Sequence, residues 1–205
     1  MDMYNKKTNL LIGFHGCDKS VRDAVINGGQ LKPSLNDYDW LGNGTYFWEN
    51  DYIRALEWAE QAAKRTSSSV KEPAVLGAVI DLGNCLDFTN RDSVPILKAG
   101  YEWLKESHKR EGRPMPRNKN VKGNNDFLLR ELDCAVIQSI HKISREKDSP
   151  FEPYDSVRGL FLEGNSVYEG ACIKEKTHIQ LCIINPNCVK GYFIPRGADK
   201  RFPIP

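Results

Sequence analysis

The chain has 205 residues, of which 40% are hydrophobic and 27% are charged, so it is long enough to bury a core as one domain. A formal net charge of +2 excludes a strongly basic nucleic-acid-binding protein, and no apolar run approaches the roughly 20 residues of a membrane-spanning helix. The N-terminal residues do not resemble a signal peptide. We therefore expect a cytoplasmic protein without a membrane partner.

The spacing of apolar residues predicts strands and helices in an irregular order. Strands are expected at about 9–14, 45–48, 74–82, 157–162, 167–169, 178–184 and 189–194, and helices at about 18–27, 51–65, 93–107 and 125–143. The first strand is expected to end at His15 and Gly16, and Asn125 is expected to cap the last helix. Because regular βαβ alternation is missing, the order favours an α+β fold, with one domain over residues 1–205.

Six cysteines occur in the chain, and none of them forms a Cys-x-x-Cys pair. Cys134 and Cys182 lie inside apolar runs, where a free cysteine behaves as a small buried hydrophobic residue. We therefore expect neither a disulfide framework nor a metal site.

Positive charge is concentrated in a segment at about 109–124, which we call the basic segment. Its six cations, against Glu111 alone, are Lys109, Arg110, Arg113, Arg117, Lys119 and Lys122. Two prolines in the segment exclude a continuous helix. It is either a solvated loop or an arm that contacts the phosphates of a nucleic acid through Arg113, Arg117, Lys119 and Lys122.

Two short motifs carry the chemical argument. Gly42-Asn43-Gly44-Thr45-Tyr46-Phe47-Trp48-Glu49 predicts a tight turn followed by an aromatic strand, after which Asn50 and Asp51 can cap a helix. Gly13-Phe14-His15-Gly16 places a hydrogen-bonding ring beside a backbone amide that carries no side chain. A planar amide ligand can pair with such a backbone. Each motif alone is equally compatible with packing residues.

Together, the two motifs resemble those of the ADP-ribosyltransferases of the diphtheria toxin and poly(ADP-ribose) polymerase type. His15-Gly16-Cys17 is similar to the family's His-Gly-Thr element, and Gly42 to Phe47 is similar to its Gly-x-Gly-[IT]-Tyr-Phe element. In that family a Glu, Asp or Gln begins a late strand, and Gln180 takes this place. The resemblance implies a split β-sheet, in which two small packed sheets with flanking helices enclose an NAD cleft.

The resemblance also implies roles for individual residues. His15 would bind a ribose hydroxyl of NAD, the Gly16 backbone would hold the carboxamide, and Tyr46 would stack on the nicotinamide ring. Gln180 would contact the ribose near the reacting carbon. Trp58 is the candidate for the family's second stacking ring, with a core role as the alternative. No metal is implied.

Several residues depart from the family pattern. Cys17 replaces a hydroxyl residue, and Arg54 and Glu57 lie where the family has a small hydroxyl residue and a tyrosine. An amide at Gln180 orients groups through hydrogen bonds but cannot hold a proton as a glutamate does, which implies transfer of a single unit. If Gln180 is not the third residue, Glu163 or Glu169 is the acidic candidate.

We therefore expect an NAD-dependent mono-ADP-ribosyltransferase that modifies a macromolecule, with RNA or DNA favoured over protein. Analogy with compact enzymes of this type implies an intracellular toxin or phage-defence effector, held in check by an antitoxin protein. The alternatives are an NAD glycohydrolase, an inactive module that binds NAD or ADP-ribose, and a nucleic-acid-binding protein that uses only its basic segment.

Overall fold

The computed structural model of the protein describes residues 10–120, 126–149 and 151–204. Within them lie four α-helices: α1 (Lys19–Ile26), α2 (Tyr52–Ala63), α3 (Ser93–Arg110) and α4 (Glu131–Ser144). The strands are β1 (Leu11–Asp18), β2 (Thr45–Glu49), β3 (Pro73–Ile80), β4 (Cys85–Asp87), β5 (Asn118–Lys119), β6 (Leu129–Arg130), β7 (Ser156–Phe161), β8 (His178–Ile183) and β9 (Val189–Phe193). A short 3₁₀ helix (Pro186–Cys188) precedes β9.

Seven of these strands form one mixed sheet in the order β4-β7-β8-β2-β1-β3-β9, and β5 pairs with β6 in a separate ribbon. All pairs in the large sheet are antiparallel except β4 with β7. The α+β class is confirmed. The expected pair of small packed sheets is replaced by one continuous sheet, because β1 and β2 remain hydrogen-bonded to each other.

The link between β1 and β2 is short. It consists of the pairs Gly13 with Glu49 and Phe14 with Trp48, whereas β1 pairs with β3 along its whole length. The large sheet therefore has two well-paired groups of strands, β4-β7-β8-β2 and β1-β3-β9, which meet at a narrow seam. We use the word seam for these two residue pairs.

The first strand is longer than predicted. Gly16 and Cys17 continue its pairing with β3, opposite Val75 and Ala74, so the expected end at His15 and Gly16 is wrong. Asp18 then caps α1 by accepting a hydrogen bond from the Ser20 amide at 2.9 Å. His15 is consequently an internal residue of β1 that lies immediately beyond the seam.

The chain between β3 and β8 differs most from the sequence prediction. The last helix begins at Glu131, and its predicted cap, Asn125, lies outside the described residues. Residues 129–130 pair with β5 instead of extending that helix. Residues 167–169 form no strand; they lie in a turn region held by the bond from the Val167 amide to the Ile173 carbonyl. The three-residue strand β4 was not predicted.

Two hydrophobic clusters cover the two faces of the sheet. The cluster that packs under α3 and α4 contains Leu41, Leu86, Leu104, Val136, Ile137, Ile140, Val157 and Cys182. The cluster on the other face contains Phe47, Ala78, Ile80, Leu82, Leu181, Ile183 and Cys188. Alternation along β2 separates Tyr46 and Trp48 from Phe47. The buried environment expected for Cys134 and Cys182 is confirmed.

Helix α2 lies directly on β1 at Gly16. A Cβ atom at this position would be 2.2 Å from the Ala55 carbonyl oxygen and 3.3 Å from the Trp58 ring, so only glycine fits without moving backbone. Trp58 therefore packs beside the predicted carboxamide-binding residue. In the described part of the chain, no helix has the length and apolar character needed to cross a membrane.

One buried histidine predicts a pH dependence of folding. His141 in α4 is 3% exposed, and neither of its ring nitrogens has a hydrogen-bond partner among the described residues. Burial, aided by the charge of Arg145, lowers the pKa of His141 from 6.5 to about 4. The unfolded chain therefore takes up a proton at a higher pH than the folded chain does, so stability falls as the pH drops from 6.5 towards 4.

The variant His141→Phe should lose about 3 kcal/mol less free energy of unfolding than the wild type over that pH range, at about 1.4 kcal/mol for each pH unit. Urea unfolding at pH 7 and pH 4.5 measures the effect. The matched control is His108→Gln in α3, which should keep the wild-type pH dependence. An unchanged dependence in His141→Phe would show that other buried groups, such as His178, cause the acid sensitivity.

Candidate functional site

The strands that carry the three predicted site residues are neighbours in the sheet. His15 is in β1, Tyr46 in β2 and Gln180 in β8, and these strands lie side by side in the order β8-β2-β1. Gln180 pairs directly with Trp48 of β2, and Trp48 in turn pairs with Phe14 of β1. The fold therefore brings three motifs that are far apart in sequence to one region beside the seam.

His15 is oriented by the backbone of the second motif. Its Nδ1 lies 2.7 Å from the Tyr46 carbonyl oxygen, and its ring is 5.7 Å from that of Phe47. Because a carbonyl only accepts, Nδ1 carries the proton and donates, which leaves Nε2 as an acceptor in the neutral ring. Burial lowers the pKa of His15 in spite of this bond, so the neutral form is favoured. A neutral Nε2 is suited to accept a hydrogen bond from a hydroxyl group.

Tyr46 is anchored through its hydroxyl. The oxygen accepts from the Leu41 amide at 3.0 Å and donates to the Gly42 carbonyl at 2.8 Å. Burial raises the pKa of Tyr46 well above its usual value. The half-buried ring packs against the cluster under α3 and α4, so Tyr46 holds the turn of its own motif. Its stacking on nicotinamide remains a prediction.

Gln180 is held from the loop that precedes β2. The Trp40 indole nitrogen donates to Gln180 Oε1 at 2.5 Å, across 140 positions of sequence. This bond fixes the amide plane and leaves the Gln180 amide nitrogen as the group that can donate to a ligand. The His15 ring lies beside Phe47, whereas Gln180 lies opposite Trp48 in the neighbouring strand.

Unpartnered polar atoms collect in this region. The buried atoms without a hydrogen bond among the described residues include Trp48 Nε1, Arg54 Nε and Nη1, Thr177 Oγ1 and His178 Nε2. We call these four residues the polar cluster. The Arg54 guanidinium lies 5.7 Å from the Trp48 ring, and the His178 ring lies 6.1 Å from it. Buried polar groups are almost always paired in proteins, so this concentration indicates a place where a ligand supplies the missing partners.

The polar cluster lies among the residues predicted from the motifs. Trp48 is opposite Gln180, and its ring is 6.0 Å from that of Trp58, which packs at Gly16. Three of the atoms without a hydrogen bond are N–H donors, namely Trp48 Nε1 and the Nε and Nη1 atoms of Arg54. His178 Nδ1 lies 2.6 Å from the Lys176 carbonyl and therefore donates, so Nε2 is an acceptor in the neutral ring. Such a set suits a ligand with carbonyl, phosphate or sugar oxygens beside a flat ring.

Glu163 and Glu169 occupy different environments. Both oxygens of Glu163 accept from Arg54 Nη2, at 2.9 and 2.7 Å. The Glu163 side chain is only 14% exposed, and that of Arg54 is 7% exposed. Glu163 is therefore the counter-ion of Arg54, and Glu169 is exposed to solvent. Of the three candidates for the third site residue, Gln180 alone pairs directly with a strand that carries another motif.

The basic segment is only partly a loop. Lys109 and Arg110 belong to α3, Lys119 forms part of β5, and Lys122 lies outside the described residues. Glu111 pairs with Arg113, and Glu131 pairs with Lys119 at 2.7 Å. Arg110 and Arg117 are exposed and have no carboxylate partner within the described ranges.

Sequence reasoning missed the polar cluster as a site. Arg54 was noted only as a departure from the family pattern, and Trp48 only as a strand residue. A signal was present for His178, because it precedes Gln180 by two residues and therefore shares its face of the strand. Among the described residues, no three His, Cys, Asp or Glu side chains are placed to hold a metal ion.

The ion pair between Arg54 and Glu163 generates a stability prediction. Glu163→Gln removes the hydrogen-bonded counter-charge of the buried guanidinium, and the expected loss in free energy of unfolding is about 3 kcal/mol. The double variant Arg54→Leu with Glu163→Leu should recover part of this loss, because it removes both charges. Urea unfolding measures the free energy of unfolding of both variants. The control Glu57→Gln, at 3.9 Å from the same arginine and 41% exposed, should change stability little.

Comparison with known proteins leaves this site without a described counterpart. The chain is similar to the uncharacterized protein MJ0359 of Methanocaldococcus jannaschii, with 24% identity over 212 residues that cover 91% of this chain and 89% of the relative. The similarity therefore extends over nearly the whole length of both proteins. No protein-family model and no solved structure matches the chain.

Proposed function

We propose that the protein is an NAD-dependent mono-ADP-ribosyltransferase whose cleft lies beside the seam. One observation carries the proposal: strands β1, β2 and β8, which bear the three motifs, are adjacent, and unpartnered buried polar groups lie among them. The resemblance of the motifs to those of the ADP-ribosyltransferases indicates the reaction, and the polar groups beside the seam are compatible with binding NAD.

In this mechanism the residues of β1 and α2 bind the nicotinamide half of NAD. His15 Nε2 accepts a hydrogen bond from a ribose hydroxyl, while its Nδ1 is held by the Tyr46 carbonyl. The Gly16 backbone binds the carboxamide. Aromatic surface for the flat nicotinamide ring comes from Trp48, Trp58 and Tyr46. The free N–H groups of Arg54 and Trp48 bind ligand oxygens.

The reaction is a displacement at the ribose carbon. The bond between that carbon and the nicotinamide nitrogen breaks, and its electron pair leaves with nicotinamide. A lone pair of the acceptor forms the new bond, and the proton of the acceptor passes to water. Gln180, oriented by Trp40, donates its amide N–H to the ribose and positions the acceptor. An amide at this position supports one transfer and does not supply a general base for chain extension.

Nicotinamide release tests this proposal directly. Purified protein is incubated with NAD, alone and with RNA, DNA or cell protein, and free nicotinamide is separated by chromatography. Release that depends on an added macromolecule is the expected result, and labelled ADP-ribose should appear on it. Release without an acceptor would assign the protein as an NAD glycohydrolase. Absence of release, together with absence of NAD binding in calorimetry, would overturn the proposal.

Substitutions of the two polar site residues should separate binding from turnover. His15→Ala should lower kcat/KM for NAD by about 100-fold, because it removes the ribose acceptor. Gln180→Ala should lower kcat more than NAD affinity, whereas equal losses would indicate a structural role for Gln180. The exposed control Lys71→Ala should retain full activity. Circular dichroism confirms that each variant is folded.

The pH profile provides an independent check on His15. Burial lowers the pKa of His15 below 6.5, and the acceptor role needs the neutral ring. Activity should therefore stay constant as the pH falls from 8 to 6.5 and decline only at lower pH, where Nε2 becomes protonated. A decline that begins above pH 7 would contradict the assigned role.

A further inference from the structure

A cavity of about 690 Å³ opens between α3, the start of α4 and the loop that precedes β2. Its volume is within the range of sites that bind small organic groups, roughly 300–1,000 Å³. Three aromatic residues line it: Trp40, Phe88 and Tyr101. Four charged residues also line it: Lys98, Glu102, Arg130 and Asp133. It lies outside the polar cluster, and none of the motifs described above accounts for it.

One aromatic wall of the cavity, Trp40, is held in place. The Trp40 indole is bound to Gln180, its ring lies 5.0 Å from that of Phe161, and the Arg130 guanidinium lies 5.3 Å from the Trp40 ring. Tyr101 is 38% exposed, and its hydroxyl has no hydrogen bond with the described residues. Rigid aromatic surfaces beside an arginine suit the stacking of a flat ring, because little side-chain entropy is lost on binding.

The polar groups of the cavity match the edges of a nucleobase. Glu102 and Asp133 are hydrogen-bond acceptors, and carboxylates accept from the amino groups of bases. One oxygen of Asp133 accepts from Asn118 Nδ2 at 2.9 Å, and its second oxygen lies 3.7 Å from Arg130. Lys98 is exposed and has no carboxylate within ion-pair distance in the described ranges, so it can contact a phosphate at the mouth of the cavity.

One unpaired cation of the basic segment, Arg117, lies near the same cavity. Arg130 of β6 pairs with Asn118 of β5, which follows Arg117 directly in the chain. Arg110 follows Tyr101 in α3 by about two and a half turns, so it lies on the opposite side of the helix from the cavity. The positive charge at the cavity is therefore that of Lys98 and Arg130, which line it, and of Arg117 beside it.

We propose that the cavity holds one unpaired base of a single-stranded nucleic acid, whose phosphates contact Lys98 and Arg117. Trp40 joins the two sites, since it lines the cavity and donates to Gln180 at 2.5 Å. A base seated here places its strand next to the residue that positions the acceptor. The role of this strand as acceptor rests on the proposed ADP-ribosyl transfer, whereas its binding does not.

Fluorescence anisotropy with short labelled oligonucleotides, in the absence of NAD, tests the base site. Single-stranded RNA and DNA of the same sequence are compared with the corresponding duplex, which we expect to bind more weakly because its bases are not free to enter. Tyr101→Ala should weaken single-strand binding about tenfold, and Tyr101→Phe should retain it. Arg117→Ala should lower the slope of log affinity against log salt by about one.

The matched control is Tyr168→Ala, which removes another exposed tyrosine that does not line the cavity and should bind as the wild type does. Lys98→Glu provides a second variant that leaves the apolar walls intact, and it should weaken binding. Wild-type affinity in both Tyr101→Ala and Lys98→Glu, or equal affinity for duplex and single strand, would overturn the base site. A difference between RNA and DNA identifies the natural strand. Intact binding without any nicotinamide release would overturn the proposed enzyme and leave the base site standing.

Discussion

Two residue pairs join β1 to β2, and the rest of the site depends on how short this pairing is. A longer ladder would extend β2 along His15 and Gly16 and would occupy their backbone groups. Instead, the His15 ring donates a hydrogen bond to the Tyr46 carbonyl, and α2 packs directly against Gly16. The seam thus leaves His15 and Gly16 without strand pairing to β2.

Ion pairs hold the end of β2 to the strands on its side of the seam. Glu49, at the end of β2, accepts from Arg158 of β7 at 2.6 and 2.9 Å, and Arg158 reaches Asp87 of β4 at 3.2 Å. These hydrogen bonds and the carboxylates raise the pKa of Arg158 further above its usual range. Buried ion pairs add little net stability, but breaking one is costly, so they favour a single arrangement of the strands they connect. The pair Arg54 with Glu163 connects α2 to the chain after β7 in the same manner.

Local sequence was sufficient to predict those elements whose signals lie within a few neighbouring residues. Asp51 caps α2 as predicted and Asp18 caps α1, since a side-chain oxygen that meets an amide two or three residues later needs no distant partner. Prediction was wrong where a neighbour from elsewhere decided the outcome. Pairing with β3 carries β1 past Gly16, and pairing with β5 takes residues 129–130 out of the helix that their apolar pattern favours.

The sequence by itself determined the α+β class, the cap of α2 and the positions of the three motifs, because periodicity, capping and turn chemistry act over a few residues. Tertiary structure alone decided that β8, β2 and β1 are neighbours and that Trp40 binds Gln180 across 140 positions. It also paired Arg54 with Glu163, 109 positions apart, and left Nε and Nη1 of Arg54 without a hydrogen bond among the described residues. The physical reason is that such contacts depend on strand order and packing, which leave no local pattern in the chain.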